Sequence, residues 1–311
     1  MYKAQCHLNL IFIGSIYSLM HKIFENSREP LFERADRLMF IRPFKIKVIR
    51  DILQDYGVSD IRSIFDMFVF TGGVPRYIEI LCQNQALSFG EILDFLLDEN
   101  SPFINEGKNL LIEEFGKDYG TYFSILELIS VGKTARTEIE SILESNVGGY
   151  LERLENDYAI VSRVRPINAR PKSRGHKYRI NDNFLNLWFR FIHRNRSAVE
   201  TGNFDYIKTI FERDYTTYCG HLLEKFFHQL FADTRQYNRI GSYWERGNQN
   251  EIDLVAISDL KKEMTIAEIK FNKSRIRLEQ LKMRAQKLLD SYPGFTPHYL
   301  ALSLDDAADY L

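Results

Sequence analysis

The chain has 311 residues, a net charge of −1, 45% hydrophobic content and 14% aromatic content. That length and apolar content suit two or three domains with sizeable cores, and the near-neutral balance excludes nucleic-acid binding through bulk charge alone. No apolar run approaches the roughly 20 residues of a membrane span, Cys6, Cys82 and Cys219 form no metal or disulfide spacing, and the apolar run near residue 8 lacks signal-peptide flanks, so a cytoplasmic setting is expected.

The chain opens on LNLIFIGS, a continuous apolar run that reads as a strand buried on both faces. A short helix is expected in IYSLMHKIFEN, and PLFERADRLMFIRPF holds a second apolar strand, Leu38 to Ile41. Buried parallel strands need neighbours, and none precedes the first. The opening therefore reads as the end of an α/β sheet in an N-terminally truncated chain. LIFIGS, PLFERAD, IRPF and TGGVPRYIE resemble the later part of an archaeal-type AAA/STAND ATPase. That resemblance implies a γ-phosphate-sensing role at Ser15, a role for Arg34 on a neighbour's nucleotide, and a lid helix opened by Gly72-Gly73-Val74-Pro75. The chain lacks a G-x-x-x-x-G-K-[ST] phosphate loop. Gly132-Lys133-Thr134 is a decoy, because Glu127 stands at the first glycine position and a helical pattern precedes it. Thr134 is expected to cap the next helix instead. The chain is not expected to hydrolyse ATP on its own.

From Lys45 to Phe115 apolar residues recur at three- and four-residue spacing, the mark of a helical bundle. Pro75 suits a helix start, where its missing N–H costs nothing. Tyr119 to Ile192 reads as three helices and a basic strand pair, the winged-helix plan. Its candidate recognition helix, Val147 to Asn156, carries more acids than bases, Glu152 and Glu155 against Arg153. The wing does not: between Ile160 and Val199 ten bases face Asp182 alone, a net of +9. Arg163, Arg165, Arg170, Lys172, Arg174 and Lys177 are the candidate nucleic-acid contacts, with docking to an acidic neighbouring domain as the alternative. FLNLWFRFI (184–192) is too apolar for a surface, and Ser197 to Asn203 reads as a linker.

Beyond it, GHLLEKFFHQLF is a helix with Leu222, Leu223, Phe226, Phe227 and Leu230 on its buried stripe and Glu224 off it. His221 and His228 read as core or surface residues of that helix, not ligands. YWERGNQNEIDLVAISDLKKEMTIAEIKF then reads as two strands about a polar turn. Residues two apart on a strand share a face, so Glu268 and Lys270 project together, and Asp253 joins them if the strands pair. Two carboxylates flanking a lysine suit metal-dependent phosphodiester hydrolysis, in which hard oxygens hold the ion and a cation offsets developing charge. These residues resemble the PD-(D/E)xK nuclease core. The resemblance implies that Asp253 and Glu268 ligate Mg²⁺ (or Mn²⁺), that Lys270 acts in catalysis and that Glu224 supplies a further acid. Ile252 stands where that core usually has proline. A basic amphipathic helix and the strand HYLALSL complete the order the resemblance requires.

The expected fold is multidomain α+β: an ATPase-sheet remnant at 1–44, a helical lid at 45–115, a winged helix at 116–200 and an α/β/α restriction-endonuclease-like domain at 201–311. The expected function is Mg²⁺-dependent nuclease-like chemistry on DNA beside a DNA-binding winged helix. Two alternatives stand: a non-catalytic binding module for nucleic acid or protein, and a chain whose Arg34 serves a full-length ATPase partner.

Overall fold

The structure is a computed structural model and describes residues 9–14, 17–170 and 175–311. Helix α1 (Tyr17–Glu25) is followed by an irregular stretch, and then by α2 (Ile46–Asp55), α3 (Ile61–Thr71), α4 (Pro75–Gln83), α5 (Phe89–Leu96) and α6 (Phe103–Phe115). Their ends carry local signals. The Asp60 carboxylate accepts from the Ser63 N–H at the start of α3, and Ser88 and Glu91 form a reciprocal capping box on α5. Pro75 takes the first turn of α4. Helix α3 is buried on every side from Ser63 to Thr71, as befits a helix packed all round.

Helices α7 (Tyr119–Ser130), α8 (Arg136–Leu143) and α9 (Gly148–Asn156) lead into the antiparallel pair β1 (Val161–Val164) and β2 (Lys177–Ile180). Helix α10 (Asn183–Leu187) runs into a wide turn of helix at Trp188–Ile192, and these residues are almost wholly buried, as their composition requires. Helices α11 (Arg196–Glu200), α12 (Phe204–Tyr218) and α13 (Gly220–Asp233) follow.

The last sheet has the order β3 (Arg239–Tyr243), β4 (Ile252–Ser258), β5 (Glu263–Ile269) and β6 (Thr296–Leu302). Strands β3, β4 and β5 are antiparallel neighbours, and β6 returns parallel to β5 after α14 (Leu278–Asp290). Alternation along the strands divides the faces. Leu254, Ala256, Ala267 and Ile269 join the core that contains α13, whereas Val255, Ile257, Met264 and Ile266 pack with Leu281, Ala285 and Leu288 of α14. The first of these cores is continuous from Ile46 to Ala307.

Four expectations need correction. Residues 9–14 form no strand, and Leu10, Ile11, Phe12 and Ile13 are 58–90% exposed. Leu38–Ile41 is likewise irregular and exposed. An apolar run demands burial but supplies no partner, and among the described residues neither run has a sheet to join. Thr134 does not cap α8: Ala135 holds that position, and the Thr134 carbonyl accepts from the Tyr178 N–H at 2.8 Å. The stretch read as a linker contains α11.

Candidate active site

Strand β4 and helix α13 place the central acid. The β4–β5 ladder ends at Leu254 and Ala267, and the next positions along the two strands are Asp253 and Glu268. Beyond that point a side chain takes over from the backbone. One Asp253 oxygen, Oδ2, accepts the Ile269 N–H at 2.8 Å and the Lys270 ammonium at 3.0 Å. Asp253 is 7% exposed. Its carbonyl is fixed from the other side by the Ser242 hydroxyl at 3.0 Å and by His228 Nε2 at 2.9 Å. Ser242 reaches it because β3 shifts register between Gly241 and Tyr243.

Lys270 lies one residue past β5, where its backbone N–H donates to the Leu302 carbonyl. Burial works against its charge, yet Asp253, then Glu268 and Glu224, outweigh burial and hold its pKa above the ordinary lysine value. All three acids thus act on one ammonium. Glu224, on α13, is pushed up to about 7 by burial and then by the Asp253 charge. Its carboxylate lies 3.9 Å from the Arg179 guanidinium of β2. Glu268 pairs with Arg284 of α14 at 2.6 Å, and that same arginine donates to the Glu251 carbonyl at the head of β4.

The structure therefore brings Asp253 and Lys270 into contact, sets Glu268 beside them and keeps Glu224 within electrostatic reach. The sequence reading missed Arg284, Arg179 and His228 as participants. His228 alone had a local signal, since it stands one helical turn from Glu224 on α13. Arg284 and Arg179 come from separate elements and share no spacing with the acids.

Among the described residues, no three His, Cys, Asp or Glu side chains form a metal cage. The available set is two hard carboxylates, Asp253 and Glu268. That set suits Mg²⁺, which keeps several waters and is bound through one or two carboxylates together with substrate phosphate.

The candidate nucleic-acid contacts divide. Arg163 pairs with Glu155 at 2.5 Å. Lys177 pairs with Glu251 at 3.0 Å and lies over the Trp244 ring at 4.6 Å. Arg165 is half-buried and Arg170 exposed. Lys172 and Arg174 lie outside the described residues, as does Ser15. Arg163, Lys177 and Arg179 are thus paired with acids, the last two with Glu251 just before β4 and Glu224 of α13, and Ile167 binds the Ser242 carbonyl through its N–H. Arg34 is exposed in the irregular stretch after α1. The Gly72–Pro75 turn closes α3 in the left-handed region and opens α4.

Residues 188–285 match DUF234, described as "Archaea bacterial proteins of unknown function". That span contains Glu224, Asp253, Glu268, Lys270 and Arg284, but not Arg179. An uncharacterized protein of Methanocaldococcus jannaschii is 30% identical over 272 residues, covering 84% of this chain and 59% of its own length. The chain therefore spans about three-fifths of that relative. No solved structure matches. Among the described residues, no helix is long and apolar enough to cross a membrane.

Proposed function

We propose that the region from α12 to the C-terminus is a Mg²⁺-dependent (or Mn²⁺-dependent) nuclease-like phosphodiesterase acting on DNA, within a protein of the ATPase family the N-terminal motifs resemble. The observation carrying this reading is the Asp253–Lys270 contact with Glu268 at the adjacent strand position. Asp253 and Glu268 would hold the ion, which supplies an activated water and Lewis-acid polarisation of the phosphoryl oxygen. Lys270 offsets charge that develops on the phosphate oxygens. Glu224, with its pKa near 7, can hold or release a proton at neutral pH. His228 and Ser242 fix the Asp253 backbone and so keep its carboxylate aimed. Nucleotide chemistry, in this reading, belongs to a partner subunit on which Arg34 acts.

The test is metal-dependent nicking of supercoiled plasmid by the purified chain. Asp253→Asn and Lys270→Ala should each lower the rate on the order of 100-fold or more, as loss of a charge-stabilising group does. Equal rates in wild type and both variants would falsify the assignment.

A second reading, a binding module without chemistry, is favoured by the ion pairs themselves. Lys270 on Asp253 and Arg284 on Glu268 satisfy both acids without any metal ion. Calorimetry with Mn²⁺ separates the two: the enzyme binds one ion through Asp253, and the scaffold binds none.

A further inference from the structure

A cleft of about 410 Å³ opens beside Lys270, between the α12–α13 turn and the segment that leaves β5. It shares Lys270 and Glu224 with the proposed chemistry, but its other lining residues have no role there. Its size falls in the range of sites that enclose a small molecule, roughly 300–1,000 Å³. One wall is apolar, with the half-buried Phe271 ring in front of the buried Leu223 and Ile269. The rim carries Lys270 and Arg275, together with Thr216, Thr217 and Asn272.

These rim groups are donors with capacity to spare. Arg275 is exposed and makes no side-chain contact among the described residues, unlike Arg284 and Arg179 nearby, which are held by Glu268 and Glu224. The Thr201 and Thr209 hydroxyls donate back to carbonyls of their own helices. Those of Thr216 and Thr217, both exposed, do not. Asn272 accepts from Ser274 through its carbonyl oxygen, which leaves its amide protons for another partner. Glu224 is the one acid in the lining, and it faces the Arg179 guanidinium at 3.9 Å. Arg275 has no acid beside it, and the Lys270 ammonium has protons left after its bond to Asp253, so the rim suits an anion and the adjoining Phe271 the face of a flat ring.

We propose that this cleft binds one unpaired nucleotide of a nucleic-acid strand, its phosphate on Lys270 and Arg275 and its base against Phe271. The proposal rests on reading the domain as one that acts on nucleic acid, and it specifies the substrate as single-stranded or frayed. In a duplex each base face is covered by its neighbours, so the apolar wall has nothing to meet. Stacking on a hydrophobic or aromatic surface tolerates any sequence, so little base preference is expected.

The experiment is fluorescence anisotropy with the full chain in EDTA, so that binding is read without cleavage. The probes are a labelled twelve-nucleotide oligo-dT and a twelve-base-pair duplex, with dTMP as competitor. The single strand should bind at least about tenfold tighter than the duplex, and dTMP should compete only weakly. Arg275→Ala should weaken strand binding about tenfold and reduce the slope of log K against log salt by about one, as loss of a phosphate contact does. Arg275→Lys should recover most of that loss. Duplex binding as tight as the strand, dTMP binding as tight as the strand, or an unchanged affinity in Arg275→Ala would each overturn the proposal. Arg275 is exposed and outside the core, so circular dichroism should show the variant folded. The two readings fail separately: binding intact without metal-dependent nicking removes the enzyme but keeps the cleft, and nicking unaffected by Arg275→Ala removes the cleft alone.

Discussion

Glu268 stands at the strand position next to Asp253, yet one of its oxygens is held by Arg284 at 2.6 Å. Arg284 therefore competes with any cation for that carboxylate. Replacing it with glutamine should raise Mn²⁺ affinity about tenfold, the equivalent of about 1.4 kcal/mol, measured by calorimetry. Weaker binding in that variant would mean that Arg284 positions Glu268 rather than masking it. His221 shows a different single-residue effect. Its Nε2 lies 3.3 Å from the Asn186 amide nitrogen, which donates to the neutral ring and could not donate to a protonated one. Burial first, then the charges of Arg179 and Lys225, lowers its pKa to about 4. The unfolded chain binds this proton near pH 6.5 and the folded one only near pH 4. Its contribution to stability is thus full above about pH 6.5 and is lost as pH falls towards 4. Urea midpoints between pH 7 and 4 should decline, and less steeply in His221→Asn. Parallel slopes in the two proteins would exclude His221 as the cause.

The turn between α3 and α4 shows what an element boundary demands of the chain. Gly73 has φ +84°, and a Cβ there would come within 2.2 Å of the Phe44 carbonyl oxygen. Phe44 in turn donates its N–H to the Gly73 carbonyl at 2.7 Å, so the two backbones cannot separate cheaply. Gly57 is also left-handed, at φ +80°, but a Cβ there meets nothing within 4 Å. Gly57→Ala should therefore cost only the backbone term, about 1–2 kcal/mol, and Gly73→Ala clearly more. Denaturant titration of both checks this, and equal costs would mean that Phe44 simply moves aside. At this scale local signals were legible at Pro75 and in the hairpin but misleading at Thr134. Pro75 marks a helix start, and the alternation of Ile252, Leu254, Ile266 and Ile269 marks the hairpin. Asp253 and Lys270 could be brought together for the same reason, because strand pairing converts short spacing into contact. The runs Leu10–Ile13 and Leu38–Ile41 failed because a buried strand is defined by neighbours that no local pattern supplies. Arg284 and Arg179 were illegible in the same way, reaching the acids through the tertiary fold alone.

Across the whole molecule, α3 is the element the other segments share. Its Phe65 and Phe68 meet Phe226 of α13 at 5.3 and 5.2 Å between ring centroids, and its Phe70 stacks on Tyr215 of α12 at 5.8 Å. Asn183 of α10 donates to the Phe68 carbonyl. Asp66, 1% exposed, accepts from Arg62 of its own helix and from the Tyr215 hydroxyl at 2.8 Å. Burial raises its pKa despite both partners, so losing either leaves a poorly compensated charge inside the protein. This packing places the candidate nuclease region on a core that begins at Ile46. Unfolding should accordingly show one transition, with far-ultraviolet circular dichroism and tryptophan fluorescence coinciding, because Trp188 and Trp244 sit in the two parts that share it. Phe226→Ala, which removes a ring wedged between Phe65 and Phe68, should lower that single transition by about 3–5 kcal/mol without splitting it. Two separated transitions, with the Trp244 signal outlasting the helical one, would show that the C-terminal sheet holds together without α3. Residues 201–311 could then be tested alone for nicking, whereas a single transition requires the full chain in every assay of the Asp253 site.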